Sequence, residues 1–229
     1  MPEISCKLDR CFLCTHCVPE WKALIGVQKK TMLFKRGSSI FKEGDPVNGM
    51  YFVNSGVLKI TLQWTGDKEL ILRFSKTGET LGHRGFGGAS TYPISAIALT
   101  ETTLCYLDND FLETLLQTNH EFTYQLLHVY MRDLHFAEKR MRDLAHRDVK
   151  GRVTLALLEL IGLFGLNEEN YIQLPVSRQD IASYAGTSYE TVFKFFNELS
   201  QAGVLTTSGK HIKIMNAKAL NNFISEPVA

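Results

Sequence analysis

The sequence has almost no net charge, because 25 lysines and arginines oppose 24 aspartates and glutamates among its 229 residues. The formal charge of +1 excludes a protein-wide basic field, so any binding to nucleic acid must depend on a local cluster of basic side chains. The sequence also lacks an apolar run long enough to span a bilayer and the hydrophobic stretch of a signal peptide. We therefore expect a soluble, cytoplasmic protein with no membrane partner.

Motifs of catalytic sites are missing as well. The sequence contains no HExxH motif and no nucleophile elbow, and Gly87-Gly88 lacks the surroundings of a P-loop. His128 and His135 are two turns apart on a predicted helix, too far apart to share a ligand. We therefore expect that the protein is not an enzyme. An iron–sulfur redox protein is the alternative from another class, and it would need a substrate cleft or a second cofactor motif.

Residues 176–213 are the most informative part of the chain. Ser177 and Asp180 have the spacing of a capping box at a helix start, and Gly186 can adopt the positive φ of a helix end. A second helix begins at Thr187 or Ser188. Its apolar face consists of Val192, Phe195, Phe196 and Leu199. This pattern predicts a DNA-reading helix-turn-helix, whose second helix lies in the major groove.

The candidate DNA-binding residues lie on the other face of the second helix and at the start of the first. They are Arg178, Thr187, Ser188, Tyr189, Glu190, Thr191, Phe193 and Lys194. Phe193 either contacts a thymine methyl group or packs on its own helix. Residues 204–207 and 211–214 predict a hairpin that adds a wing.

Basic residues that could contact phosphates cluster before and within this motif. They are Arg140, Arg142, Arg147, Lys150 and Arg152, followed by Arg178, Lys194, Lys210 and Lys213. A solvated helical face is the alternative interpretation of the first five.

These residues resemble the cyclic-AMP receptor and fumarate–nitrate regulator superfamily, and the resemblance extends over nearly the whole chain. The family's recognition helix carries a glutamate, a threonine and an arginine. Glu190 and Thr191 match, whereas Lys194 takes the arginine position and Phe193 replaces a small residue. Because lysine lacks arginine's planar fork, the preferred DNA sequence is expected to differ from the family's usual site. The resemblance implies a homodimeric transcriptional regulator that binds an inverted repeat and contacts RNA polymerase.

Glycines interrupt short apolar alternations between residues 31 and 107, which predicts a small antiparallel barrel. Residues 41–60, FKEGDPVNGMYFVNSGVLKI, resemble the β-roll that the family uses as a sensor domain. The expected effector pocket consists of Gly82, His83, Ile94 and Ser95. Nucleotide-binding members carry a glutamate and an arginine where this chain has His83 and Ile94. A cyclic phosphate would lose its bidentate partner here, so we do not expect a cyclic nucleotide to bind.

Asp108 is predicted to cap a helix that ends near residue 118, and a long helix follows over residues 120–146. Apolar residues on the long helix alternate in spacings of three and four, which is typical of a coiled-coil seam. The seam is Tyr124, Leu127, Met131, Leu134, Glu138 and Met141. Two copies are expected to pair along it, with Glu138 as a polar interruption; a core helix within one chain would show a similar stripe. Haem bound to His128 or His135, or another small effector, is an alternative signal.

Four of the five cysteines lie near the N-terminus, at Cys6, Cys11, Cys14 and Cys17, and the fifth is Cys105. In a reducing cytosol this crowding favours metal over disulfide bonds. The segment CFLCTHCVP resembles the thiolate run of bacterial ferredoxins. Oxygen-sensing family members take three ligands from such a run and one from the end of the barrel, which implies an iron–sulfur cluster on Cys11, Cys14, Cys17 and Cys105, with Cys6 as a substitute. Zinc on the four N-terminal cysteines, or an unliganded tail, are the alternatives.

The patterns together predict an α+β fold in four parts. Residues 1–21 form a cysteine-rich N-terminal segment, and residues 22–119 form an antiparallel β-roll sensor domain with flanking helices. Residues 120–148 form a dimerisation helix, and residues 149–229 form a winged helix-turn-helix domain.

Overall fold

The computed structural model describes residues 11–66, 68–86, 88, 90–174 and 176–224. Helices and antiparallel strands occupy separate stretches of the chain, which confirms the predicted α+β class. The chain divides into two compact units, of which the first ends at Leu134 and the second begins at His135. The segment predicted as a separate dimerisation helix therefore contributes residues to both units.

The first unit contains two short helices and the β-roll. The helices are α1 (Phe12–His16) and α2 (Lys22–Gln28), with a 3₁₀ turn at Pro19–Trp21 between them. The strands are β1 (Lys30–Phe34), β2 (Ser39–Phe41), β3 (Gly49–Ser55), β4 (Val57–Gln63), β5 (Glu69–Lys76), β6 (Thr80–Leu81), β7 (Ser95–Ala98) and β8 (Thr102–Asp108). They form two antiparallel sheets with the orders β1-β8-β3-β6 and β2-β7-β4-β5, which confirms the predicted roll.

Strands β3 and β8 supply side chains to two different cores. Val53 and Leu104 point into the interior of the roll, whereas their neighbours Phe52 and Cys105 point into a second core. Successive side chains of a strand face opposite sides of the sheet, which is why adjacent residues separate in this way. The second core also contains α1 and the adjoining helices, so Cys105 faces the N-terminal segment and not the roll interior.

Two helices follow the roll. Asp108 caps α3 (Asn109–Thr118) by accepting a hydrogen bond from the Phe111 N–H at 3.0 Å. The next helix, α4 (His120–His146), has 27 residues and the predicted bounds, and it buries Phe122 and Leu126 in the second core. In the described part of the chain, no helix combines the length and apolar character needed to cross a membrane.

The second unit continues from α4 into a winged helix-turn-helix. Its elements are α5 (Val149–Phe164), α6 (Arg178–Ala185), α7 (Tyr189–Gln201), β9 (Leu205–Ser208), β10 (His211–Ile214) and α8 (Ala217–Leu220). Strand β9 begins at Leu205, one residue later than predicted, because the Val204 N–H bonds to the Leu199 carbonyl at 2.8 Å and closes the end of α7. The predicted wing is present, with β9 and β10 paired antiparallel.

Candidate DNA interface and cysteine site

The turn between α6 and α7 has the predicted capping geometry. Ser177 Oγ accepts a hydrogen bond from the Asp180 N–H, and the Asp180 carboxylate accepts one from the Ser177 N–H, each at 3.0 Å. Gly186 ends α6 in the left-handed region with φ 63°. Ser188, not Thr187, caps α7 by accepting from the Thr191 N–H at 3.2 Å. Short-range hydrogen bonds therefore set both ends of the turn.

The two faces of α7 separate as predicted. Its buried residues are Val192, Phe195, Phe196 and Leu199. The exposed residues include Ser188, Tyr189, Glu190, Phe193 and Lys194, whereas Thr187 and Thr191 are half-buried. Hydrogen bonds from the backbone and from Ser188 lower the pKa of the Glu190 carboxyl group. The face therefore presents an anion and a cation one helical turn apart, with an aromatic side chain between them.

Two arginines that precede the motif cap α6. Arg152 Nε donates to the Ala185 carbonyl at 2.9 Å, and its guanidinium also donates to Gly186 O at 3.3 Å. Arg140 donates to the Tyr184 carbonyl and lies 4.0 Å from the centre of the Tyr184 ring. Cations stabilise the carbonyl end of a helix, so these side chains brace the turn. The sequence does not reveal this role, because the clustering of basic residues predicts phosphate contacts or a solvated helical face for both arginines.

Arg178, a candidate DNA-binding residue, is held between the wing and α7. Its guanidinium donates to Thr207 Oγ1 at 2.6 Å. The guanidinium carbon lies 5.7 Å from the centre of the Phe193 ring and 5.8 Å from that of Phe196. The rings of Tyr189 and Phe193 stack with centroids 6.3 Å apart. The structure therefore brings a candidate residue of α6 together with two candidate residues of α7.

The N-terminal cysteines and Cys105 lie together in the second core of the first unit. Cys11, Cys14, Cys17 and Cys105 are all buried there. The Sγ atoms of Cys11 and Cys14 are 3.3 Å apart, and Cys105 lies in the same buried core. Hydrogen bonds from Cys105 and then Cys14 lower the pKa of Cys11, although burial opposes them. Burial raises the pKa of Cys17 to about 12.

Helix α1 is held in this position by aromatic packing. Phe12 is buried, and its ring lies 6.5 Å from that of Phe52 in β3 and 5.6 Å from that of Phe122 in α4. His16 contacts Phe12, and burial lowers the pKa of His16. The N-terminal cysteines are therefore connected by direct packing both to the β-roll and to the first turn of α4.

The arrangement of these side chains determines which kind of metal centre they could hold. Within the described ranges, no three His, Cys, Asp or Glu side chains converge where a single ion could bind. Cys6, the fourth thiol of the zinc alternative and the substitute cluster ligand, lies outside the described residues. An iron–sulfur cluster distributes its thiolate ligands over more than one iron atom, so its ligands need not converge on one point. Four buried thiols in one core fit this chemistry.

One residue of the expected effector pocket, His83, contacts α4, and Gly82 directly precedes it. Gly82, whose φ is 82°, precedes a 3₁₀ turn. His83 in that turn is only 1% exposed. His83 Nδ1 lies 3.1 Å from Thr80 Oγ1, and Nε2 lies 3.0 Å from an oxygen of Asp133. The Tyr130 hydroxyl donates to the His83 carbonyl at 2.5 Å. His83 therefore joins the β-roll to α4, a role for which its sequence neighbourhood gave no signal.

Burial and the neighbouring charges together determine the protonation of His83. Burial lowers the pKa of the His83 imidazole, and the hydrogen bond to Asp133 opposes this effect. Burial would raise the pKa of Asp133, but the hydrogen bond from His83 and the positive charge of Arg73 lower it. The pair is therefore a neutral imidazole beside an ionised carboxylate at neutral pH.

Of the other two pocket residues, Ile94 faces the interior of the roll, whereas Ser95 is half-buried and lies outside that core. Ile94 is buried in the roll core beside Tyr92, whose ring stacks on Phe41 with centroids 4.2 Å apart. Ser95 Oγ accepts a hydrogen bond from the Glu43 N–H at 2.9 Å. A cyclic phosphate placed beside Ile94 would meet apolar side chains.

Two family matches cover the parts just described. Residues 31–119 match the cyclic nucleotide-binding domain, and residues 151–223 match the Crp-like helix-turn-helix domain. The chain belongs to the Crp/Fnr family of transcriptional regulators. As a member of this family it is a DNA-binding regulator, and the exposed face of α7 is its candidate recognition surface.

Relatives of this Crp/Fnr regulator are regulators too. It is 27% identical to the transcriptional activator protein Anr of Pseudomonas aeruginosa, over 95% of this chain and 91% of that protein. It is 28% identical to the CRP-like cAMP-activated global transcriptional regulator of Mycobacterium tuberculosis, over 88% of this chain and 91% of the relative. The structure of FixK2 from Bradyrhizobium japonicum has the same fold, with a TM-score of 0.74 and 23% identity over 87% of this chain and 99% of that chain. One relative is named for cAMP and another is not, so family membership alone does not name the effector.

The predicted seam of the Crp/Fnr regulator is exposed on α4. The exposed fractions are 56% for Tyr124, 54% for Leu127, 48% for Met131, 61% for Leu134 and 60% for Met141. Glu138 is exposed on the same helix. Phe122, Leu126 and Val129 are buried instead. The stripe is therefore not the core face of α4, which leaves it free to meet a second copy.

Proposed function

We propose that this Crp/Fnr regulator is a cytoplasmic homodimer whose affinity for an inverted DNA repeat depends on redox state or oxygen, through an iron–sulfur cluster on Cys11, Cys14, Cys17 and Cys105. The observation that carries this proposal is that Cys105 shares one buried core with Cys11, Cys14 and Cys17. Local sequence pattern cannot produce this arrangement, because Cys105 belongs to the last strand of the roll and Cys11 precedes the first. RNA polymerase is the expected partner at the promoter.

The cysteines are well placed to affect α4. A bound cluster would supply an oxygen-sensitive inorganic centre at the end of the roll. Cys11 and Cys17 flank α1, and Cys14 lies within it, so thiolate ligation would hold α1 against Cys105 in β8. Phe12 in α1 packs on Phe122 in the first turn of α4. Release of α1 would therefore change the packing of the helix that carries the predicted dimer seam.

A modest free-energy coupling between cluster binding and dimerisation or DNA binding is enough for regulation. About 2 kcal/mol between the cluster-bound and cluster-free states changes a dimerisation or DNA-binding constant about thirtyfold, since each 1.4 kcal/mol is tenfold. The exposed apolar stripe on α4 supports the dimer. Two recognition helices related by a two-fold axis would then contact half-sites with centres about 10 to 10.5 base pairs apart.

A matched pair of cysteine variants tests the cluster. The wild type, Cys105→Ser and Cys6→Ser are purified without oxygen, and their absorption spectra and iron, sulfide and zinc contents are measured. We expect iron and sulfide in the wild type and in Cys6→Ser, and their loss in Cys105→Ser, together with the oxygen response of DNA binding. Thermal unfolding of each variant checks that Cys105→Ser remains folded.

Other outcomes have distinct meanings. Zinc that is retained in Cys105→Ser and lost in Cys6→Ser would replace the cluster by the N-terminal zinc site. Both metal sites would be refuted if the wild-type protein contained no metal and its DNA affinity did not depend on oxygen. Neither result would affect the assignment of the helix-turn-helix, which is tested separately.

Selection of binding sites from random duplexes tests DNA recognition. Lys194→Ala is expected to weaken specific binding because it removes a cation from the exposed face of α7, and Glu190→Ala is expected to alter the preferred base. We expect an inverted repeat for the wild type. Recovery of one identical sequence by the wild type and both variants would show that these side chains do not read bases.

A further inference from the structure

Two aromatic rings are exposed on the face of α7 that carries the charged candidate residues. Tyr189 is 40% exposed and Phe193 is 43% exposed, although large apolar side chains are costly to leave in water. They are four residues apart, so their side chains are neighbours on the helix surface, and their rings stack at an interplanar angle of 23°. The packing of Phe193 on its own helix is therefore real but leaves much of its ring uncovered.

The Phe193 ring is also supported from behind. The Arg178 guanidinium lies 5.7 Å from its centre, within the range of a cation–π contact. Arg178 is itself fixed by its 2.6 Å hydrogen bond to Thr207 in the wing. The ring is thus held between Tyr189 on its own helix and an arginine that is tied to β9. A side chain that is both exposed and held in place suits contact with a partner, because little conformational entropy is lost on binding.

Helix position and chemistry indicate which partner Phe193 contacts. Phe193 lies between Glu190 and Lys194, in the N-terminal half of the helix that such motifs insert into the major groove. The apolar group that B-DNA presents in that groove is the 5-methyl group of thymine. We propose that Phe193 reads thymine methyl groups, with Arg178 and Tyr189 as positioning residues. This inference rests on the proposed DNA-binding function.

Removal of the methyl group itself provides the test. A duplex obtained by selection is compared with duplexes in which single thymines are replaced by deoxyuridine, which keeps base pairing and lacks only the methyl. Burial of one methyl corresponds to about a three- to fivefold change in affinity per half-site. We expect one or two thymines per half-site to show this loss with the wild type. When both half-sites are changed, the loss should reach about tenfold or more.

Protein variants show whether Phe193 is the group that detects the methyl. In Phe193→Ala the affinities for the thymine and deoxyuridine duplexes should become equal. Lys194→Ala is the matched control, because it should bind more weakly overall and keep the thymine preference. Arg178→Ala should reduce the preference without abolishing binding, a result that a purely stabilising role for Arg178 would not produce. Thermal unfolding confirms that each variant folds.

The results separate this inference from the function on which it rests. If the wild type binds no DNA specifically, the proposed function fails. If it binds specifically but every deoxyuridine duplex binds as well as its thymine parent, or if Phe193→Ala keeps the thymine preference, the reading of thymine by Phe193 is wrong and the regulator assignment stands.

Discussion

The substitution Gly186→Ala tests the turn that sets the recognition helix. Gly186 has φ 63° and ψ 47°, a left-handed conformation that costs an L-residue roughly 1–2 kcal/mol. A Cβ atom at this position would also lie 2.9 Å from Cδ2 of Leu144. Because that atom is the end of a flexible side chain, Leu144 can move, and we assign about 0.5–1 kcal/mol to its displacement.

Gly209 in the wing provides the matched control. Its φ of 59° is almost the same, and a Cβ atom there would meet nothing within 4 Å. Alanine also lowers the entropy of the unfolded chain, which offsets about 0.4–1 kcal/mol in both variants. We therefore expect Gly209→Ala to lower the free energy of unfolding by about 0.5–1 kcal/mol and Gly186→Ala by about 1–2 kcal/mol.

Urea denaturation followed by circular dichroism, at equal protein concentrations, measures these differences. The double variant Gly186→Ala/Leu144→Ala completes a cycle in which the clash is removed, so the cost of alanine at position 186 should fall to that at position 209. Equal costs for the two single variants, with no coupling to Leu144, would refute the packing argument. If Gly186→Ala raised stability, the left-handed turn itself would be wrong.

The remaining predictions concern α4 and the first unit. Leu134→Glu should convert the dimer to monomers, since burial of an unpaired charge costs several kcal/mol, whereas Glu138→Leu should tighten it; unchanged sedimentation of both would place the dimer contact elsewhere. Burial lowers the pKa of His83 from 6.5, so the unfolded chain takes up the proton first, and the free energy of unfolding should decrease as pH falls through that value. Both tryptophans lie in the first unit, so urea titrations followed by their fluorescence can compare wild type with His83→Gln, and identical pH slopes would contradict this assignment.

Several elements could be predicted from sequence because their determinants are local. The capping box at Ser177 and the left-handed Gly186 each involve hydrogen bonds within a few residues, and the structure contains both. The bounds of α4 and the cap at Asp108 were predicted for the same reason. The buried stripe of α7 follows from helical periodicity alone. Contacts to DNA bases at Glu190 and Lys194 stay predictions.

Tertiary structure decided which distant side chains meet. The sequence placed Cys105 near the end of the roll, but the pleat of β8 turns it away from the roll interior and into the core that holds Cys11. Arg152 of α5 caps α6 because the fold places it beside the Ala185 carbonyl, which is 33 residues further along the chain. His83 pairs with Asp133, which is 50 residues away. Periodicity and capping signals act within a few residues, so they determine the elements and their faces, whereas packing alone determines which faces come into contact.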